Sequence, residues 1–562
     1  MVGLARSRTF RDVALVLFGA TAMHFATSFI GPLSSEHSII VSTQVSEVSH
    51  DHAYGQPANH VHAHDDTRNL GTDKAALQDL LAGLGKTQKG QKTFSDEVDL
   101  SYTIPETTML SHAPGWTVFK NLYMSNGTIY IVTTRPNSFP DISLMTSTGL
   151  PAENTPENIQ ARLPTREDMS FVTPEEARDM WAGDVESHEQ NRLWSVPGNT
   201  FIVNEPSQFL DHYYHFCAEW LFGAWAFWQG AFSATVEPGT AHKSSAPPVD
   251  RVIFANAGAR GWRDRPGFNS YFFRAAFPST TVEVEEDWDD RTVATSNPAA
   301  PRRAWHFPYA LFSDRSASFK GARCGSQNQR IASEAIDYMR DQKRLTTLWW
   351  EPVRRGVLRF AGIDPRVVDT GVRALAVVEG AERVRGAAAL EGHKAFSGLS
   401  DKEVVISYIS RQSARRHLIE ADHAALVTAL EEMTAKHGWE LNVVEAEKLS
   451  KEQQLEIAAK STILLGVHGN GLTHLIMMPV TPVSTVIEIF YPGGFAHDYH
   501  WTSTALGMRH FAVWNDTFLT YPNEPSVNYP EGFQGTQIPV YAPTIVQIIE
   551  ERIAGKHPIS LV

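Results

Sequence analysis

A glycine-framed histidine carries the clearest chemistry in this chain. Residues 461–465, Ser-Thr-Ile-Leu-Leu, read as a strand that ends at Gly466, and His468-Gly469-Asn470-Gly471 leads from it into an apolar run beginning at Leu472, expected to be helical over 472–478. A strand that ends in a glycine-rich loop and restarts as a helix aims backbone N–H groups and the positive end of the helix dipole at one point, which suits a phosphate. The pattern is neither the G-x-G-x-x-G of dinucleotide folds nor the G-x-x-x-x-G-K of P-loops. Arginines offer a complement. Arg411, with Arg415 and Arg416 just beyond it, follows the strand-like stretch 402–409. Guanidinium groups at a strand end suit bidentate phosphate contact, although a solvated basic loop has the same composition. Glu445, at the end of the next strand, could accept from a base or ribose hydroxyl, or simply lead into a helix. Glu488 falls inside the apolar strand 485–490. A carboxylate there needs a partner, either an arginine or a ligand hydroxyl.

The N-terminal half offers one dense constellation, Asp211-His212-Tyr213-Tyr214-His215-Phe216-Cys217-Ala218-Glu219-Trp220. On a helix, His212, His215 and Glu219 share a face, at i, i+3 and i+7. Two functional readings fit: a metal site, or a general base with its orienting partners, as transfer onto a hydroxyl requires. A polar helix face with hydrogen-bonded histidines is the bland alternative. The spacing is not the H-E-x-x-H of zinc proteases.

The elements that must position these groups follow from periodicity. From about 356 to 545 the pattern alternates: strands over 402–409, 439–444, 461–465 and 485–490, and helices over 420–438 and 450–460. The second helix opens with Ser450 and Gln453 in a capping-box arrangement. A further helix is expected over 543–554. Such alternation implies a parallel, doubly wound sheet with ligands at the carboxyl ends of its strands. Residues 96–355 mix short strands (128–134, 200–203 and 251–255) with proline- and aromatic-rich connections. Residues 237–250 and the acidic, then proline- and asparagine-rich stretch 284–303 read as loops.

The chain has 562 residues, which as a prior means roughly two to four domains. Its net charge of -14 excludes a general nucleic-acid binder, so any anion must be held by a local basic pocket. At the N-terminus, a tail over 1–12 with Arg6, Arg8 and Arg11 precedes an apolar stretch over 13–31. That stretch is about long enough to span a thin bilayer, with the positive end cytoplasmic. The expectation is an uncleaved type II anchor, with a cleaved signal peptide as the rival. Residues 32–95 read as a flexible stem; its His50, His52, His60, His62 and His64 are expected to be solvated rather than metal-bound. Two sequons, at Asn126 and Asn515, mark candidate glycosylation sites and suit a luminal body. Cys217 and Cys324 could pair in an oxidising lumen.

With these residues assembled, the chain resembles glycosyltransferase family 61. The resemblance rests on Ser410-Arg411-Gln412 with Arg415-Arg416, on Glu452-Gln453-Gln454, on Gly466-Val467-His468-Gly469-Asn470-Gly471-Leu472-Thr473 and on Val486-Ile487-Glu488-Ile489. His215, Phe216 and Glu219 match a weaker N-terminal motif. Asn470 and His474 depart from the family pattern, which has alanine and asparagine there. The resemblance implies a GT-B-like α/β fold, with an acceptor-side domain (96–355) and a nucleotide-sugar-binding domain (356–562) facing a cleft. It implies inverting transfer from a UDP-sugar, of xylose or N-acetylglucosamine, to a hydroxyl of a glycan or glycoprotein, at a Golgi or endoplasmic-reticulum membrane. It places Arg411, Arg415, Arg416, His468, Gly469, Asn470, Gly471, Leu472 and Glu488 at the donor and His215 and Glu219 at the catalytic base; Glu445 and His212 join these sets from strand-end position and helical spacing alone. No metal or other cofactor is required in this reading. Asp287-Trp288-Asp289 matches the metal-binding Asp-x-Asp by letter only. The competing functions are a tethered glycan-binding protein without catalysis and a metal hydrolase built on His212, His215 and Glu219.

Overall fold

Runs of β-branched and aromatic residues build two sheets in the computed structural model, which describes residues 99–557 apart from 185, 236–245, 347 and 375–398. The first holds β1 (Thr108–Ala113), β2 (Trp116–Ser125), β3 (Thr128–Val132), β4 (Met169–Val172), β5 (Leu193–Ser195), β6 (Asn199–Pro206), β7 (Arg251–Asn256), β8 (Thr281–Glu283) and β9 (Ala304–Ser313). The second holds β10 (Val405–Ser410), β11 (Glu440–Glu445), β12 (Ile463–Val467), β13 (Thr485–Ile489), β14 (Arg509–Trp514) and β15 (Thr517–Leu519). The fold is mixed α/β. The expected anchor, stem and histidine cluster lie outside the described residues. Among the described residues no helix is long and apolar enough to cross a membrane.

The second sheet has the order β11-β10-β12-β13-β14-β15, parallel except for the last pair. The chain leaves β10 to one side for β11 and returns to the other side for β12, so the order reverses between β10 and β12. In open α/β sheets that reversal opens a crevice at the carboxyl ends of the strands. The first sheet contains the same device: β8-β7-β6-β9 is parallel, with the reversal between β6 and β9.

Local signals explain the second half. The helix Glu420–His437 buries Leu426, Leu430 and Met433 against the sheet and ends at Gly438, whose φ of 71° suits a residue without Cβ. The helix Lys451–Lys460 shows both bonds of the expected capping box: Gln453 N donates to Ser450 Oγ and Ser450 N to Gln453 Oε1. The C-terminal helix Ala542–Ile553 covers the same face with Ile545, Ile548 and Ile549. A helix, Glu351–Phe360, runs across residues 355 and 356, where the expected domain boundary falls.

Three expectations need correction. The acidic stretch read as a loop forms the helix Glu285–Thr295. Its Glu285, Glu286 and Asp287 occupy the first turn, where the helix dipole favours negative charge, and Trp288 packs against the core. Asp287 accepts from Val284 N at 2.9 Å, so the Asp-x-Asp letters serve a helix start. The run after His468 is a 3-10 helix, Asn470–Met477, rather than an α-helix over 472–478. The His212–Glu219 segment is largely a π-helix, Tyr214–Leu221. Cys217 and Cys324 are both buried and unbonded.

Burial also sets an acid sensitivity. His306 on β9 is 3% exposed and its Nε2–H donates to Asn121 Oδ1 at 3.1 Å. Burial pulls its pKa down from 6.5 to about 4. As pH falls below 6.5 the unfolded chain takes up this proton first, so the contribution is fully present above 6.5 and is lost as pH falls toward 4. The wild type should lose about 2 kcal/mol more stability than His306→Gln between pH 7 and pH 5. Urea unfolding at both pH values checks this; parallel losses in the two proteins contradict it.

Candidate functional site

The reversal point of the second sheet holds the predicted phosphate loop. Arg411 follows β10 and His468 follows β12. Arg411 Nη1 donates to the His468 carbonyl at 2.8 Å, joining the two strand ends. Gly469 has φ 150°, and a Cβ there would fall 1.3 Å from Arg411 Nη1, so only glycine lets the loop close on this guanidinium. Asn470 Oδ1 accepts from Thr473 Oγ1 at 3.0 Å, which ties down the first turn of the 3-10 helix. Leu472 is buried beneath the loop.

Arg416 lies beside this loop with its Nε buried and without a hydrogen-bond partner among the described residues. Burial, then the neighbouring Arg411, lowers its pKa to about 10. Among the described residues neither Arg411 nor Arg416 pairs with a carboxylate. Two half-buried guanidinium groups without acidic partners suit an anion. Arg415 is more exposed and donates to Gln534 Oε1 at 2.7 Å. Glu445 does not join the group: it is half exposed and pairs with Lys448 at 2.5 Å.

Glu488 finds neither of its expected partners. It is fully buried on β13, and its two oxygens meet His468 Nδ1 and His510 Nε2, the latter at 2.8 Å. Both oxygens are thus occupied by protein, and Glu488 supports His468 rather than facing solvent.

The first sheet supplies a second cluster. His215 Nδ1 lies 2.6 Å from Glu219 Oε2, and Arg315 Nη1 donates to the same oxygen at 2.9 Å. Arg315 Nε reaches Glu205 Oε2 on β6 at 2.9 Å. Arg330 Nη1 is 3.6 Å from Glu219 Oε1 and 2.7 Å from Asp498 Oδ1. Burial pushes the Glu219 pKa up, but Arg315, His215 and Arg330 together outweigh it and hold the carboxyl well below the usual range. Glu219 is therefore ionised and poorly basic. It accepts from His215 Nδ1–H and leaves Nε2 with the lone pair. The π-helix matters for this pairing. It turns less per residue than an α-helix, so Glu219 keeps its contact with His215, four residues away, and leaves the face of His212. His212 stacks obliquely on His215, ring centroids 5.0 Å apart; burial, then His215, lowers its pKa to about 4. The expected triad is thus a His215–Glu219 dyad with a neutral neighbour. Two guanidinium groups beside Glu219 oppose a cation there, which disfavours the metal reading.

The two clusters are in contact. Tyr214 donates to the Asp498 carbonyl at 2.8 Å, its ring meets His215 at 5.4 Å and Tyr499 at 5.3 Å, and Tyr499 meets His468 at 5.7 Å. Burial pushes the Asp498 carboxyl up, but its neighbours, Arg330 foremost, hold it below the usual value. His474 bridges the halves as well, with Nε2 3.0 Å from Gln454 Oε1 and Nδ1 3.4 Å from Tyr213 OH. Sequence reasoning missed Glu205, Arg315, Arg330, Asp498 and His510. Only Arg315 carried a local signal, as a charge just past the apolar run of β9. Asn126 sits in the exposed β2–β3 turn at φ 52°, beside Gly127 at φ 78°; Asn515 precedes β15 at φ 51°.

Comparison with known proteins bears on this arrangement. A family model described as Glycosyltransferase 61 matches residues 213–487. The matched span takes in His215, Glu219, Arg315, Arg330, the arginines after β10 and the loop at His468. A relative from Drosophila melanogaster, the EGF domain-specific O-linked N-acetylglucosamine transferase, is 30% identical over 131 residues. That stretch is 23% of this chain and 23% of the fly protein, so the match spans less than a quarter of the relative. The histidine–glycine loop, its arginines and the π-helical dyad all lie within the stretch over which the chain is similar to glycosyltransferase family 61.

Proposed function

We propose that this protein is an inverting glycosyltransferase of GT-B-like architecture. It transfers xylose or N-acetylglucosamine from a UDP-sugar to a hydroxyl of a glycan or glycoprotein. The observation that carries this reading is the pair of guanidinium groups, Arg411 and Arg416, without a carboxylate partner among the described residues, beside His468 at the strand-order reversal of the second sheet and linked through Tyr499 and Tyr214 to the His215–Glu219 dyad of the first. The family match over residues 213–487 and the similarity to a named transferase support it.

In this reading the diphosphate lies against Arg411, Arg416 and the loop N–H groups. As the sugar–phosphate bond breaks, negative charge grows on the β-phosphate, and these preset donors meet it without a required metal. The acceptor hydroxyl is far too weak an acid to ionise near neutrality. His215 Nε2 takes its proton as the new bond forms, and Glu219 stabilises the resulting imidazolium through Nδ1–H. Attack opposite to UDP inverts the anomeric centre. An N-terminal anchor places the catalytic body in the lumen of the Golgi or endoplasmic reticulum, where Asn126 and Asn515 are available for glycosylation.

The test is UDP release by the full-length chain, supplied with a panel of UDP-sugars and glycan or glycopeptide acceptors, with and without a chelator. The expected outcome is acceptor-dependent release from one donor that survives chelation. Glycan binding without release from any donor would identify a non-catalytic receptor instead. One equivalent of tightly held zinc, lost in His215→Ala, would identify a metal hydrolase.

A further inference from the structure

Glu488 and Glu219 each hold a histidine through its Nδ1, yet their surroundings are opposite. Glu219 faces two guanidinium groups. Glu488 has no arginine or lysine within ion-pairing distance among the described residues; its partners are His468 and His510. His510 is 4% exposed on the neighbouring strand β14. Phe490, Tyr499 and Phe533 wall the His468 ring, and its Nε2 makes no hydrogen bond within the described protein.

Hydrogen-bond accounting constrains the protons. An ionised Glu488 accepts from both imidazoles, which leaves the His468 lone pair on Nε2, where it would repel an anion. A protonated Glu488 donates from Oε1 to His468 Nδ1 and accepts at Oε2 from His510 Nε2–H. His468 then carries its own proton on Nε2. Burial pushes the Glu488 carboxyl well above the usual range, aided by Asp498 and only partly opposed by Arg416. Burial, reinforced by Arg416, holds the His468 pKa down at about 3, and it keeps His510 neutral too. Both arrangements pair the two Glu488 oxygens with His468 Nδ1 and His510 Nε2, but only the protonated one buries no net charge, and it leaves His468 Nε2–H free for a ligand.

We infer that Glu488 and His510 are positioning residues that lock His468 in its Nε2–H tautomer, so that the imidazole donates a hydrogen bond to an oxygen of a diphosphate held beside Arg411 and Arg416. The inference rests on the nucleotide-diphosphate reading of this pocket and adds the proton inventory behind it. Two His–Glu pairs then do opposite work. Arginines keep Glu219 ionised and make His215 an acceptor at Nε2; the lack of them keeps Glu488 protonated and makes His468 a donor at Nε2.

Selective 15N-histidine labelling of the full-length chain reads the tautomer, with His468 assigned by the signals lost in His468→Gln. The expected result near pH 7 is a protonated Nε2 and a bare Nδ1; the reverse tautomer or an imidazolium overturns the inference. UDP is the binding probe. Glu488→Ala should weaken UDP binding by about tenfold or more. Glu488→Gln should recover most of it, since its amide N–H donates to His468 Nδ1 and its carbonyl accepts from His510. A glutamine variant as weak as the alanine one overturns the inference. Wild-type calorimetry in two buffers of different ionisation enthalpy should show no proton uptake by His468 on binding UDP, measured as the difference from His468→Gln; uptake of one proton also overturns it. Failure of the wild type to bind UDP at all would remove the nucleotide reading, while the 15N shifts still decide the tautomer.

Discussion

Replacing His215 by alanine should lower kcat by about a thousandfold, within the range removed with a general base, and leave UDP affinity close to that of the wild type. The separation follows from geometry. His215 belongs to the π-helix of the first half, whereas Arg411, Arg416 and His468 follow strands of the second. Glu219→Gln should behave differently. Arg315 and Arg330 are buried or nearly so, and Glu219 lies between them as one of three carboxylates, with Glu205 on Arg315 and Asp498 on Arg330. Glutamine there weakens the buried, charge-assisted bonds from Arg315 and His215, at a cost of about 2 kcal/mol in stability. A loss of turnover in Glu219→Gln therefore mixes folding with catalysis, and His215→Ala is the cleaner variant. Steady-state kinetics with UDP release, beside calorimetry with UDP, reads both quantities. A His215→Ala enzyme within fivefold of wild-type turnover would assign the base elsewhere.

The second half of the chain was legible because its signals are local. A β-branched run, a capping box at Ser450 and Gln453, and a glycine after a helix each act within a few residues, and the observed elements lie within a few residues of those expected. The acidic stretch from Glu285 misled because charge density resembles a loop, whereas three acids in a first turn suit a helix N-terminus. The π-helix could not be read. Its consequence, Glu219 rotated away from His212 and kept on His215, reverses a face that α-helical spacing predicts. The site was half legible for the same reason. Arg411, Arg416 and His468 follow strands and announce themselves at strand ends. The groups that set protonation arrive from far away in sequence: Arg315 lies 96 residues from Glu219, Asp498 lies 168 from Arg330, and His510 lies 22 from Glu488. Glu445, open in the sequence between a ligand contact and a carboxylate leading into a helix, forms an exposed pair with Lys448 at a local E-x-x-K spacing.

Arg411→Ala should cut UDP-sugar turnover by about a hundredfold or more while the protein stays folded. The size follows from the loss of one preset donor to a developing charge, which ordinarily costs 10²–10³ in kcat. The folding claim follows from the environment. Burial lowers the Arg411 pKa, and no carboxylate among the described residues pairs with it, so the truncation strands no buried charge there. It removes one hydrogen bond, to the His468 carbonyl, worth about 1 kcal/mol. A melting temperature within a few degrees of wild type is therefore expected, in contrast to Glu219→Gln. Arg411→Lys should not restore turnover, because an ammonium cannot hold the His468 carbonyl and present a second donor with the same fixed geometry. Gly469→Ala should resemble Arg411→Ala even though it leaves every charged group in place. Its Cβ would occupy the position of Arg411 Nη1, and φ 150° is costly for any residue with a Cβ. Matching losses in the two variants, with both proteins folded, would show that the glycine acts by admitting the guanidinium. Normal turnover in Arg411→Ala would instead place the diphosphate away from this loop.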